Sequence, residues 1–338
     1  MSEGGIARRL EHRWYHGPAP LLLRPLALAY GGVVGLRRRA FAAGLCRSVH
    51  AGVPTVVVGN LTAGGTGKTP LVLWLAMRLT ERGLSPGIVM RGHGGSQRAP
   101  RLVSVDDDAA VVGDEPLLLA RRTRCPVAVG VRRAEAAALL VHAGCNIVIA
   151  DDGLQHLALA RDLDVVVIDG ERGFGNGALL PAGPLREPAS RLASAGLVVL
   201  HGEDRRGVLP AGIAPLRMQL VPTALRRVDG DDEAPLDSLK GRTVHALAGI
   251  GNPGRFLAVF AALGATPVPV IRPDHHMWQV HELPAPDGRP IVMTEKDAVK
   301  CRRLAAGRDD VYYLQVEAVL PPADAAHLVC RVLALRRQ

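Results

Sequence analysis

Residues 55–70, TVVVGNLTAGGTGKTP, constrain this chain more than any other stretch. Thr55 to Val58 are β-branched and predict a buried strand. A glycine-rich turn follows through Gly64, Gly65 and Gly67, then Lys68 and Thr69 lead into an apolar period at Leu71, Leu75 and Leu79 that predicts a helix. A strand, a glycine loop and a helix in that order make a phosphate-binding P-loop. Backbone amides can turn inward around an anion, and the helix N-terminus adds its partial positive charge. The expected cradle comprises Thr62, Ala63, Gly64, Gly65, Thr66, Gly67, Lys68 and Thr69, with Lys68 reaching the β- and γ-phosphates and the Thr69 hydroxyl on Mg²⁺. One departure stands out, because the position where such loops open with Gly is Thr62 here. An ordinary glycine-rich β–α turn is the plain alternative; the context favours a nucleoside triphosphate site.

Downstream, apolar strands near 87–90, 102–105, 127–129, 147–150, 164–168 and 197–200 alternate with helical stretches such as 115–122 and 132–143. Alternation of this kind predicts an α/β fold with a mostly parallel sheet covered on both faces. Ligands are then expected at the carboxyl ends of the strands. Residues 206–240, rich in Pro and Asp, read as a linker with a hairpin over 217–221 and 225–228. A second, smaller α/β unit is expected over 241–338, after a P-loop core over 49–205.

The first 48 residues form a separate arm. Ile6, Leu10 and Trp14 share one helical face beside Arg9 and Arg13, Pro18 and Pro20 break that helix, and the apolar run 21–36 is interrupted by Arg24, Pro25 and Gly31-Gly32. No uninterrupted stretch reaches the roughly 18–20 apolar residues of a spanning helix. Residues 1–50 carry eight Arg against Glu3 and Glu11, so most of the chain's net charge of +9 lies here. An amphipathic, Arg-flanked arm suits an anionic membrane surface, with a helix lying on the protein's own core as the alternative. Only 3% of residues are aromatic, which argues against a stacking platform for single-stranded nucleic acid. Five cysteines without a CxxC argue against a zinc site or a disulfide framework.

Several further motifs carry candidate chemistry. Asp151 and Asp152 end an apolar strand, as a metal-linked Walker-B carboxylate does. Asp114-Glu115-Pro116 opens a helix, where Asp114 reads first as an N-cap and second as a general base. Asp274-His275 follows a strand and is either structural or an acid–base pair. Lys296 and Lys300, two of only four lysines, are spaced to offer two cations to a phosphate or to sit in a solvated turn. Residues 175–187, GNGALLPAGPLRE, form a long Gly/Pro loop of the kind that serves a ligand crevice.

Taken together, GNLTAGGTGKTP, RGHGG (91–95), GDEP (113–116), DDGLQH (151–156), GNGALLPAGPLRE, GIGNPGRF (249–256), PDHH (273–276) and TEKDAVK (294–300) resemble the tetraacyldisaccharide 4′-kinase family of lipid A biosynthesis, in the family's order. The resemblance covers essentially the whole chain. His93 and Leu154 depart from it, where Tyr and an aromatic residue are expected. It implies transfer of the ATP γ-phosphate to the 4′-hydroxyl of an acylated glucosamine disaccharide 1-phosphate, giving lipid IVA at the cytoplasmic face of the inner membrane, with Mg²⁺ as cofactor and no nucleic-acid partner. It further implies that Glu187 joins Thr69, Asp151 and Asp152 around the metal. Asp114 becomes the base, assisted by His275. A P-loop ATPase or GTPase switch and a nucleic-acid-binding NTPase are the competing classes.

Overall fold

The computed structural model describes residues 3–230 and 232–337, with side chains from Leu10 to Arg336 apart from Asp231. Ile6 and Arg9 of the expected helical face lie outside the described side chains. The arm is helix α1 (Glu3–His16), a 3₁₀ turn and helix α2 (Arg24–Ala42). The break at Pro18 and Pro20 turns the chain by 106°. No single helix among the described residues is long and apolar enough to cross a membrane.

The body opens with β1 (Thr55–Gly59), whose Val56, Val57 and Val58 are wholly buried, and α3 (Lys68–Thr80), which buries Leu71, Leu75 and Leu79 one turn apart. β2 (Pro86–Met90), β3 (Arg101–Leu102), α4 (Ala109–Val112), α5 (Asp114–Thr123), β4 (Val127–Val129), α6 (Arg133–His142), β5 (Ile147–Asp151), β6 (Leu163–Asp169) and β7 (Leu197–His201) continue the alternation. The strand order β7-β6-β1-β5-β2-β4-β3 is parallel except for the β3 edge. Strands on both sides of β1 are reached by connections running in opposite directions. A crevice therefore opens at its carboxyl end, where the P-loop leaves it.

The chain continues through β8 (Leu216–Arg227), β9 (Glu233–Ala234), β10 (Thr243–Ala248), α7 (Pro253–Ala262), β11 (Thr266–Ile271), β12 (Ile291–Thr294), α8 (Glu295–Cys301), β13 (Val311–Val319) and α9 (Pro322–Ala334). The order β11-β10-β12-β13 is parallel, and β13 then runs antiparallel to β8. The hairpin expected over 217–221 and 225–228 is absent, because both pieces belong to the single strand β8. Pro222 lies between those two pieces. It sits at a shift of register opposite Val316, where a missing N–H disturbs the ladder least. The start of β8 pairs with β7 and its remainder with β13, so this one strand joins both halves into a thirteen-stranded sheet among the described residues.

Candidate active site

The P-loop is held in shape by a residue that precedes it. Asn60, wholly buried, donates from Nδ2 to the carbonyls of Thr62 (2.8 Å) and Gly64 (3.2 Å), and its Oδ1 accepts from Lys68 Nζ (3.0 Å). Gly64 and Gly67 take the left-handed backbone at φ of 95° and 91°, whereas Thr62 does not. Thr62 is instead extended in an antiparallel bridge with Leu185. This explains the absent glycine, since the residue pairs with the 175–187 loop and needs no positive φ. That loop also accepts from the Ala63 amide at Pro184 (2.7 Å) and donates from Arg186 to Leu61 (2.6 Å). The Gly/Pro segment thus walls the P-loop from outside.

Thr69 Oγ1 donates to Asp151 Oδ2 at 2.9 Å, bringing the helix start and the end of β5 together as a Walker-B arrangement requires. Asp151 is 1% exposed and its other oxygen has no protein partner. Burial, aided by Glu115 and Asp152, pushes its carboxyl up to about 7 against Lys68 and Thr69. Asp152 behaves oppositely. Burial would raise it, but Lys68 (3.5 Å), Arg186 (3.0 Å) and Arg133 hold it well below the usual carboxylate range. Glu187 is buried among cations: it accepts from Gln155 (2.8 Å) and faces Arg38 (3.5 Å) and Arg191 (3.8 Å).

Asp114 is 3% exposed in the first turn of α5. The capping residue is Gly113, at φ 95°, and the one backbone amide that Asp114 accepts among the described residues is that of neighbouring Glu115 (2.9 Å). Both carboxylate oxygens lie 3.2 Å from His275 Nδ1, and Lys300 and Lys296 lie 3.7 and 3.9 Å away. Burial would raise this carboxyl; the His275 hydrogen bond and the two lysines outweigh it and keep it below its ordinary value. His275, at φ 60°, is pushed down by its own burial and up by Asp114, and ends above the ordinary imidazole value. Lys296 and Lys300 therefore face carboxylates rather than an open phosphate site: Lys296 meets Glu115 (3.1 Å) and Asp274 (3.0 Å), and Lys300 meets Asp297 (2.9 Å).

This pair stands beside the P-loop. A Cβ built on Gly251 would lie 3.6 Å from Asp274 and 3.9 Å from the Gly65 amide, so the 249–254 and 273–276 turns border the cradle. Arg255 of α7 closes the same junction, reaching Asp169 (2.8 Å), Glu171 (3.1 Å) and His201 Nδ1 (2.9 Å). His201 lies against Thr66 and Gly67; burial and Arg255 push it down to about 4. Asn60, Asp169, His201 and Arg255 escaped the sequence reading. Asn60 follows β1 and Asp169 and His201 end β6 and β7, where polar residues at carboxyl ends signal a ligand crevice.

One edge of the arm is tied to this region. Tyr15 donates to Ala63 (3.4 Å), Trp14 Nε1 to Pro181 (3.0 Å), Tyr30 to Arg186 (3.0 Å), and Arg172 lies over the Tyr15 ring while meeting Glu11 at 2.8 Å. Leu21, Leu22, Leu26, Leu28, Val33 and Leu36 remain exposed, Leu22 at 92%. The alternative of a helix lying on the protein's own core is realised along one edge of the arm. The arm rests on the core by its polar and aromatic edge and leaves an apolar face uncovered.

A phosphate cradle at a parallel-sheet crevice, with Asp114 of the first unit paired beside it to His275 of the second, defines a P-loop phosphotransferase. Residues 19–334 match the family model described as tetraacyldisaccharide-1-P 4′-kinase, LpxK. The chain belongs to this kinase family. It is 52% identical over 307 residues to the tetraacyldisaccharide 4′-kinase of Alkalilimnicola ehrlichii, covering 90% of each chain. It is 43% identical to that of Methylobacillus flagellatus, covering 98% of this chain and 97% of the relative. The LpxK structure from Aquifex aeolicus, solved in complex with ATP, superposes with a TM-score of 0.79 at 27% identity, over 93% of this chain and 98% of the other.

Proposed function

We propose that the chain transfers the γ-phosphate of ATP to the 4′-hydroxyl of a tetraacyldisaccharide 1-phosphate, giving lipid IVA, with Asp114 as the group that takes the hydroxyl proton. The observation that carries this is the approach of Asp114 from the first unit to His275 from the second, 3.2 Å apart at the border of the P-loop. In the transfer, the acceptor oxygen bonds to Pγ, the bond from Pγ to the β-bridging oxygen breaks, and the hydroxyl proton passes to Asp114. ADP leaves. A carboxylate held below its ordinary value is a weak base, so proton transfer is concerted with a loose, charge-delocalised transition state. His275 holds Asp114 in place through Nδ1. Lys68 and the loop amides take the β- and γ-oxygens.

Thr69 and Asp151 fit a Mg²⁺ ion. Their oxygens are adjacent, and Asp151 keeps a buried oxygen without a protein partner. Among the described residues no cluster of three or more His, Cys, Asp or Glu side chains is arranged as a metal cage, in keeping with a cation that relies on one or two carboxylates and substrate phosphates. When bound, the ion would neutralise charge on the β- and γ-oxygens. Asp152 and Glu187, already facing cations, would support that network rather than anchor it.

The acceptor's acyl chains suit the exposed face of the arm. Between α2 and the 176–189 loop runs a groove of about 480 Å³ lined by Ala27, Leu28, Leu179 and Pro188. Lying on the cytoplasmic face of the inner membrane, with its arginines toward anionic headgroups, this face would receive the lipid substrate from the bilayer. A co-flotation assay with anionic vesicles tests that placement; a chain left entirely with the soluble fraction refutes it. Acceptor-dependent transfer of labelled γ-phosphate tests the activity itself.

A further inference from the structure

Lys296 stands where three acceptors converge. Its Nζ lies 3.1 Å from Glu115 Oε1 on α5, 3.0 Å from Asp274 Oδ1 after β11, and 3.4 Å from His275 Nε2. The other nitrogen of the same ring, Nδ1, faces both oxygens of Asp114 at 3.2 Å. An ionised carboxylate only accepts and an ammonium only donates. The ring satisfies both neighbours in one form alone: Nδ1 carries the proton, and Nε2 is bare. An imidazolium would set a second N–H against the ammonium, and the opposite tautomer would leave two acceptors face to face at Asp114.

We propose that Lys296 is a positioning residue that fixes the tautomer of His275, keeping Nδ1–H aimed at Asp114 and Nε2 unprotonated. This rests on the reading of Asp114 and His275 as the acid–base pair. The charges around the ring show why a cation is needed. Asp114, Glu115 and Asp274 all surround it. Against its own burial and Lys296, Asp114 and Asp274 already hold it above the ordinary imidazole value; without that counter-charge they would draw it further into the imidazolium form. Lys300, also from α8, is turned to Asp297 at 2.9 Å and Asp114 at 3.7 Å, away from Nε2. His93 meets the ring edge-on at 4.8 Å, near Arg91; burial and then His275 itself push it below the ordinary imidazole value, so it does not provide the cation. The residue type fits too. An ammonium has three rotatable donors for three acceptors, where a guanidinium has a rigid planar fork, and this arginine-rich chain has only four lysines.

The test is ¹⁵N NMR of histidine-labelled protein, with the His275 signals assigned by comparison with His275→Gln. In wild type at about pH 8, Nδ1 is expected protonated and Nε2 bare. A ring found with its proton on Nε2 overturns the proposal without any variant. In Lys296→Met the ring is expected to gain an Nε2 proton. The acid limb of its kcat–pH profile should move to higher pH, so that the loss is roughly tenfold or more near pH 6.5 and smaller near pH 9. KM for ATP should stay within about threefold. Lys296→Arg, which keeps the charge, should preserve the wild-type limb at reduced kcat. A Lys296→Met enzyme that is slower at every pH by one factor, with the wild-type tautomer, shows a merely structural lysine. Failure of the underlying reading is separate: an Asp114→Asn enzyme with near-normal kcat removes the acid–base pair, whatever Lys296 does.

Discussion

Replacing Asp114 with Asn tests the chemistry with little change of shape. The substitution removes one negative charge from a 3% exposed site and keeps an oxygen able to accept the Glu115 amide. Lys300 retains Asp297 at 2.9 Å, and Lys296 retains Glu115 and Asp274 at 3.1 and 3.0 Å. No buried cation is left alone, so the cost in stability is about 1–2 kcal/mol rather than the roughly 3–5 kcal/mol of a fully broken buried pair. Loss of a positioned general base lowers kcat by about 10²–10⁴, equivalent to about 3–5 kcal/mol of transition-state stabilisation. The sign of the pH effect follows from the lowered carboxyl. Its stabilisation is present above the unfolded value of about 4 and is lost as pH falls through the folded one. Melting curves of the two proteins should therefore differ at about pH 7.5 and converge toward about pH 3. Steady-state transfer to a tetraacyldisaccharide 1-phosphate in detergent, with ATP affinity measured separately, provides the assay. A folded Asp114→Asn enzyme whose kcat stays within threefold of wild type, about 0.7 kcal/mol, would refute the role given to this residue.

Asn60→Ala removes two bonds that shape the P-loop and one that holds Lys68, and should weaken ATP binding about tenfold or more in a fluorescence titration; unchanged affinity would mean the loop holds itself. Gly113 has a backbone that only glycine adopts easily, and an added Cβ would lie 2.7 Å from the His93 carbonyl. Gly113→Ala should accordingly cost at least about 1–3 kcal/mol and lower kcat, read by thermal melts beside the transfer assay. Leu22→Asp combined with Leu28→Asp should reduce flotation with anionic vesicles while leaving ATP binding intact. Burial of each leucine is worth about 1.5–3 kcal/mol, so retained flotation would place the membrane contact elsewhere.

The sheet was legible because its strands are short, β-branched runs between helical periods, and the P-loop announced itself through glycines at the positions that need positive φ. What escaped was long-range. The strand β8 read as a hairpin because a local reading cannot see the partner strand that accommodates Pro222 at a register shift. Asp114 looked like a cap because its neighbours in sequence make a helix start; its partner His275 lies 161 residues away. Lys296 and Lys300 read as phosphate ligands or a solvated turn because two of the carboxylates they meet, Glu115 and Asp114, come from the other half of the chain. Thr62 was a departure on paper, and its bridge to Leu185 makes it an ordinary extended residue.

The central claim is that the P-loop passes its phosphate to a sugar hydroxyl and not to water. Incubation with γ-labelled ATP, Mg²⁺ and a tetraacyldisaccharide 1-phosphate in detergent micelles, followed by determination of where the label sits on the lipid, measures that directly. Label on the 4′-oxygen, with ATP consumption that requires the acceptor, is the predicted result. Inorganic phosphate released at the same rate with or without the disaccharide, and an unlabelled lipid, would contradict it.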